Sequence, residues 1–391
     1  MSFTTATTTA PFSKAVVNAM RKLYPEALAD KSWDNTGLLL ESPFDPLRRQ
    51  MNSVLLTVDL TKAVADEAIE RNDSIVVAYH PIIFRGLKSL TSANSQQQSL
   101  LRLAAEGISV YCPHTAVDAA PGGLGDWLAD IVTGTPATAP ENEEGDPEQT
   151  DGASSTKPSI PSTPASKPSS LNDDPFQEPK RPVFMLQHHP SQLNVKDGDL
   201  KLAATSHERS IIKPNETTEG AGMGRIVRFN KPQPLYAIIE RIGRGLGNPK
   251  GFPIAIPQGK QIEEMSISSI GICAGSGGSL LNDLDVDLLF TGELSHHEAL
   301  AAIEKGQCVI TLFHSNTERG FLHSVMRTQL LEAVQEEWQK LRGEMKGMEG
   351  VSNELLEALE DDYVGVEVSE RDRDPYGIVI SKAELGEGYV G

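Results

Sequence analysis

Apolar positions along the chain fall into short runs separated by longer amphipathic stretches. Val54–Val58, Ile75–Tyr79 and Ile108–Cys112 are compact runs of β-forming residues. Around them, Pro11–Leu28 (Val16, Val17, Met20 and Leu23 in phase), Thr61–Glu70, Gln96–Ala105 and Gly122–Val132 repeat apolar residues every three to four positions, as one face of a helix does. Thr61 stands where a helix needs an N-cap, and Gly107 where one has ended. Strand–helix–strand alternation predicts a mostly parallel sheet with helices on its faces.

The rhythm stops and then resumes. Residues 134–206 lose apolar periodicity and are dominated by Pro, Ser, Thr, Lys, Asp and Glu. Such a segment buries too little surface to offset its ordering entropy, so a largely disordered insert is expected. His188-His189-Pro190 is set aside because it lies beside this insert. Beyond it, Ile211–Ile212, Arg225–Phe229, Ile267–Cys273, Val286–Phe290 and Cys308–Phe313 read as strands. Pro234–Leu246 and Ser295–Glu304 read as helices, and a long helical pattern runs from Thr317 to Arg342. Met345–Asp362 is a charged, weakly helical extension, and Val364–Ser369 fits a last strand that closes the sheet. The fold class expected is α/β: two similar lobes at 11–133 and 207–375 with mostly parallel or mixed sheets, then a tail at 376–391.

Composition narrows the function. The chain has 391 residues, enough for two domains, and no apolar run of the roughly 18 residues that a membrane span needs. A net charge of −19 argues against general nucleic-acid binding, which leaves a basic footprint. The modest basic character of Lys231–Lys260 reads as solvated surface. Cys112, Cys273 and Cys308 are scattered and without a CxxC, as expected for buried thiols in a reducing compartment. The N-terminus lacks the apolar core of a secretory signal. Its first 25 residues contain Lys14, Arg21 and Lys22 and no acid, a transit-like trait. The helical pattern already under way at Pro11 favours a cytoplasmic location, with the mitochondrion as the alternative.

Chemistry gathers where strands end. His80 follows Ile75–Tyr79, His114 and Asp118 follow Ile108–Cys112, and His314 and Glu318 follow Val309–Phe313. C-terminal strand ends are where open α/β sheets place their sites, and in one parallel sheet these three ends would share an edge. Imidazole plus carboxylate suits Zn, Mn, Fe, Co or Ni. Five such groups suffice for two ions sharing a carboxylate, an arrangement that activates water against phosphoryl or acyl groups. Each residue also has a structural reading. Ser315-Asn316-Thr317-Glu318 fits a capping box, His80-Pro81 a turn, and Asp118 a turn cap. Ala274–Ser279 reads either as a tight turn or as a phosphate cradle lacking the Walker lysine. Glu293, His296 and His297 follow another strand end, as helix-start residues or as groups that support ligands or touch substrate.

Seven ordered motifs then carry a resemblance: SWDNTGLLL (32–40), AYHPIIF (78–84), PHTAVDAAPGG (113–123), GAGMGRI (220–226), CAGSGGSLL (273–281), DLLFTGELSHHEAL (287–300) and FHSNTERGFL (313–322). Together they resemble the Ngg-interacting-factor-three-like family, also called the DUF-thirty-four family, which carries by homology the label GTP cyclohydrolase 1 type 2 homolog. The closing SERDRDP (369–375) is similar to eukaryotic, fungal-like members. The resemblance implies two α/β lobes with a dinuclear metal site between them, and assembly into dimers or ring-shaped hexamers. It places metal ligands at His80, Asp118, His314 and Glu318, with His114 as an extra ligand or support. Glu318 would bridge two ions and, with His314, serve catalysis. Many bacterial relatives have His-His where this chain has Tyr79-His80 and His314-Ser315, which points to one ion more than two. The implied function is a metal-dependent, hydrolase-like enzyme acting on a small phosphorylated or nucleotide-like metabolite. The alternative is a metal-binding regulatory or carrier protein with partners in transcription regulation.

Overall fold

The computed structural model describes residues 9–134, 184–188 and 204–381. Most of the expected insert, with His189 and Pro190, lies outside the described residues. The chain divides into two units. The larger covers 1–137 and 188–378, and the smaller 138–187 and 379–391.

The larger unit is built on two sheets. In the first lobe, the chain runs α1 (Pro11–Leu23), β1 (Gly37–Leu40), β2 (Met51–Thr57), α2 (Lys62–Arg71), β3 (Asp73–Ala78), α3 (Ser95–Ala105), β4 (Ser109–Cys112), α4 (Thr115–Ala119) and α5 (Leu124–Thr133). Thr61 does cap α2, its side chain accepting from the Val64 N–H. After a short strand β5 (Phe184–Gln187), the second lobe runs β6 (His207–Pro214), β7 (Gly222–Pro234), α6 (Leu235–Gly245), β8 (Ile254–Ala255) and β9 (Ser266–Ser276). It continues through α7 (Gly278–Leu281), β10 (Leu288–Glu293), α8 (His296–Glu304), β11 (Cys308–Thr311), α9 (Arg319–Phe321), α10 (Arg327–Lys346) and α11 (Asn353–Ala358). The chain then forms β12 (Gly365–Val368) and β13 (Ile378–Ser381), which pairs with β5.

The strand orders are β1-β4-β3-β2-β12 and β6-β7-β9-β10-β11-β8. Strands β4, β3, β2 and β12 are parallel, as are β9, β10 and β11, while β1 and the β6–β7 and β8 edges run antiparallel. The α/β class with mixed sheets is thus observed. The last strand departs from the two-lobe order: β12 returns to the first lobe's sheet, with Val366 beside Val54. Parallel strands covered on both faces are largely apolar; β3 is buried along its whole length, Ile75–Ala78 apolar and Asp73 satisfied by Ser53 and Arg71.

A shared core binds the lobes. One cluster runs from Val54 and Val77 in the first sheet to Ile270 and Phe290 in the second. Phe12 of α1 meets Trp338 of α10 edge-on, ring centres 5.5 Å apart. Burying such a side chain contributes roughly 1.5–3 kcal/mol. The Thr317–Arg342 helix pattern appears in pieces. A π-helical turn at Leu322–Met326 joins α9 to α10, the kind of widened turn often found near functional sites. Among the described residues, no helix is long and apolar enough to cross a membrane.

Candidate metal centre

The strand ends named by the sequence do not share one sheet edge. His80 follows β3 and His114 follows β4 in the first sheet, whereas His314 follows β11 in the second. The C-terminal ends of two parallel strand sets meet instead. Asp59 after β2 and Glu293 at the end of β10 complete the set.

His80, His314 and Glu318 converge, each offering one ligand atom within 4.8 Å of the others. His80 Nε2 lies 3.3 Å from Glu318 Oε2, and His314 Nε2 lies 3.5 Å from Glu318 Oε1. Donors on a tetrahedral ion with bonds of about 2.1 Å stand ~3.4 Å apart, close to the spacing each imidazole keeps from a Glu318 oxygen. Glu318 is 1% exposed, and its Oε2 accepts no hydrogen bond. A buried carboxylate oxygen left without a donor is costly; a cation satisfies it. Gly275, at φ 58°, makes room: a Cβ there would stand 2.8 Å from both Glu318 Oε1 and His314 Nε2.

Each imidazole is aimed by a carboxylate. His80 Nδ1 is 2.9 Å from Asp59 Oδ1, His314 Nδ1 is 2.9 Å from Glu293 Oε1, and His114 Nδ1 is 2.7 Å from Asp34 Oδ1. A carboxylate can only accept, so each Nδ1 carries the proton. In His80 and His314 this leaves Nε2 to face Glu318, the usual support of metal-binding histidines. Asp59 is held in turn by Arg319 Nη2 at 3.0 Å, and Arg319 also pairs with Asp372. Burial disfavours a charged His80 ring, but Glu318 and Asp59 outweigh it and raise its pKa to about 10. In the metal-free protein the second proton of the ring sits on Nε2, 3.3 Å from Glu318 Oε2 without a well-formed hydrogen bond, and supplies positive charge where an ion would otherwise supply it.

Asp118 and His114 line the same cleft, a cavity of about 610 Å³, but stand outside the three-residue group. The Tyr79 hydroxyl donates to Asp118 Oδ1 at 2.6 Å. Burial pushes Asp118 up to about 6 against that hydrogen bond, and burial with the Asp118 charge pushes the Tyr79 phenol well above its usual range. Tyr79 therefore positions Asp118 rather than offering a phenolate. Cys273, also on the wall, is driven up to about 12 by burial and the nearby Asp118 and Glu318 charges, and its thiol donates to the Ala274 carbonyl at 3.3 Å.

Backbone strain marks the same place. His114 (φ 35°) and Phe313 (φ 64°) hold left-handed backbone without being glycine, a cost of about 1–3 kcal/mol each that surrounding structure must support.

Three stretches for which the sequence left two readings open take a definite form. Ser315 does not cap a helix with Glu318. Its N–H and hydroxyl both donate to Asp374, at 3.2 and 2.6 Å, so Ser315 faces the 369–375 segment rather than the cleft. The capping box lies at Ser295 and Glu298, at the start of α8. His296 and His297 occupy the exposed first turn of that helix and are not on the cleft wall. The 274–279 turn is a close-packing turn rather than a phosphate cradle. The Gly275 N–H already donates to Thr317 Oγ1 at 3.0 Å, and α7 spans only 4 residues.

Asp59, Asp34, Arg319, Asp372 and Asp374 were not singled out by the sequence. Asp59 had a signal, being a carboxylate directly after a strand; Asp372 lies more than 300 residues along the chain from the Val58 N–H it accepts from, and Asp374 lies 59 residues from the Ser315 it holds. Replacing Glu293 by Gln is expected to weaken metal binding about tenfold while leaving the fold intact, since it loosens His314 without removing a ligand. Competition against a chelating dye would measure this, and unchanged affinity would make the Glu293–His314 contact incidental.

A profile of the Duf34/NIF3 (NGG1p interacting factor 3) family matches residues 13–346. The chain belongs to this family. Protein NIF3 homolog from Schizosaccharomyces pombe is 39% identical over 329 residues, covering 84% of this chain and 92% of its own. NGG1-interacting factor 3 from Saccharomyces cerevisiae is 37% identical, covering 80% and 88%. Among solved structures, a Bacillus cereus protein related to NIF3 has a TM-score of 0.53 at 16% identity, over 93% of this chain and 98% of its own. That likeness bears on the fold alone.

Proposed function

We propose that this NIF3-family protein is a metal-dependent, hydrolase-like enzyme acting on a small phosphorylated or nucleotide-like metabolite. One observation carries the reading: the buried Glu318 carboxylate, with no well-formed hydrogen bond on Oε2, lies between the Nε2 atoms of His80 and His314. These three would hold one divalent ion of the Zn, Mn, Fe, Co or Ni group, with Asp118 and His114 as further donors on the same wall. A divalent ion there supplies Lewis acidity toward a phosphoryl or acyl oxygen.

The chain's own groups do the remaining work. Asp59 and Glu293 hold the Nδ1 protons of His80 and His314, fixing both rings. Asp118, raised to about 6 by burial in the metal-free protein, can hold a proton near neutrality while the site is empty and release it when an ion binds. Lys213 on the cleft wall favours an anionic substrate. Assembly of several copies and a cytoplasmic location belong to the same proposal.

Turnover is expected in a screen of phosphorylated and nucleotide-like metabolites, lost with chelator and restored by added metal. Metal-loaded protein that turns over nothing would favour the second reading, a regulatory or carrier protein. That reading draws on the name of the Saccharomyces cerevisiae relative, which states an interaction with NGG1.

A further inference from the structure

The cleft wall beyond the three-residue group is aromatic in a way its packing does not require. Trp33 is 50% exposed and Phe84 46%, whereas Trp127 and Trp338 are 4% and 2% exposed. The Trp33 and Phe84 ring centres lie 6.0 Å apart at 41°, and Trp33 meets His114 edge-on at 5.6 Å. Contact with His114 therefore anchors the indole beside the metal-facing groups while half of it stays open. Aromatic surface left exposed at a cavity mouth is the unusual observation, since such side chains gain most by burial.

The platform is also pre-placed. Asp34, next to Trp33, accepts from the Thr115 hydroxyl and N–H and from His114 Nδ1. Asn35, on the other side of Asp34, donates from Nδ2 to the Ile83 carbonyl, one residue before Phe84. Both loops are thus tied down within two residues of their rings, so little ordering cost is left for a ligand. Met223 and Leu280 belong to the same cleft, and Lys213 is the one lysine or arginine on its wall among the described residues. Lys213 is only loosely paired, its Nζ 3.5 Å from Asp30 Oδ2 with the side chain 67% exposed.

We infer that Trp33 and Phe84 form a stacking platform for a nucleobase-sized heteroaromatic ring whose attached anionic group is met by Lys213. Flat π-faces stack on indole and phenyl rings with little dependence on ring identity, and an ammonium group is a point charge for phosphate. This deepens the proposed function and rests on it for the fate of the ligand, but ring binding needs no metal and is testable without it.

The test uses the full chain, with and without chelator, titrated with adenosine, guanosine and uridine 5′-monophosphates, the corresponding nucleosides, and ribose 5-phosphate. The exposed component of tryptophan emission comes from Trp33, because the other two indoles are buried. The nucleotides are expected to quench it. Trp33→Leu should abolish the quench and weaken binding in equilibrium dialysis about tenfold, while Trp33→Phe largely retains binding. Lys213→Met should weaken the nucleotides but not the nucleosides, and ribose 5-phosphate should be indifferent to Trp33→Leu.

Equal binding by wild type and Trp33→Leu would overturn the inference. So would wild-type protein that binds none of the nucleotides. Emission that is shielded from acrylamide in the wild type and opens only on dilution would assign the platform to a second copy of the chain instead. Metal content, measured alongside, separates the two ideas. Trp33→Leu should hold as much metal as wild type; wild type that binds nucleotides but no metal would defeat the metal-dependent reading and leave the platform standing.

Discussion

Replacing Glu318 by alanine is expected to strip metal from the protein, lowering affinity by more than about 100-fold, while the chain remains folded. The reason is geometric. Among the described residues Glu318 is the one carboxylate that reaches both imidazoles, at 3.3 and 3.5 Å, and it is almost wholly buried. Even groups that only orient a ligand typically cost 10–100-fold when removed, so losing the shared donor costs more. His314→Ala should act in the same direction but less completely, because His314 is 39% exposed at the rim while His80 and Glu318 stay in place. Metal analysis of the purified proteins, with dye competition for affinity, decides the matter. A residue serving only as a helix cap would lower stability by about 1 kcal/mol and leave metal content alone. Equal metal in wild type, Glu318→Ala and His314→Ala would therefore reduce the cluster to a structural network.

The sequence carried much of this site because strand ends are legible. Val309, Ile310, Leu312 and Phe313 announce a buried strand, and polar His314 and Glu318 directly after it announce its end. The same logic marks His80 and His114. Periodicity cannot say which sheet a strand joins, since that is settled by long-range pairing. The three ends accordingly looked like one edge and belong to two sheets. Pairing also hid the role of β12. Its return to the first sheet carries Ser369–Asp374 to the site, where Asp372 Oδ2 accepts from the Val58 N–H at 2.7 Å and pairs with Arg319. The capping-box pattern at Ser315 stayed undecided for a related reason. Ser-x-x-Glu occurs at both 295 and 315, and only tertiary context sends one pair to a cap while Ser315 turns to Asp374 and Glu318 to the imidazoles.

Asp118→Asn separates the ligand role from the structural role by moving two quantities in opposite directions. In the metal-free protein it is expected to raise stability by about 2–3 kcal/mol near neutral pH. Burial lifts Asp118 from 3.8 to about 6, and each tenfold gain in proton affinity corresponds to about 1.4 kcal/mol. The sign follows from where the proton sits. The folded state holds the Asp118 proton more tightly than the unfolded chain does. Its stabilising contribution is therefore complete below pH 3.8 and lost as pH rises through about 6. Above that, an ionised Asp118 faces the Glu318 charge with little solvent. Asparagine keeps an oxygen to accept from the Tyr79 hydroxyl, which lies 2.6 Å from Asp118 Oδ1, and carries no charge. Thermal unfolding of chelated wild type and Asp118→Asn should therefore diverge between about pH 4 and pH 7, the variant being more stable at the upper end. With metal present the order should reverse or close, because a ligating carboxylate must be ionised and its charge is what the ion needs. If the variant gains stability equally with and without metal, Asp118 takes no part in holding the ion, and its raised pKa reflects burial beside Tyr79 alone.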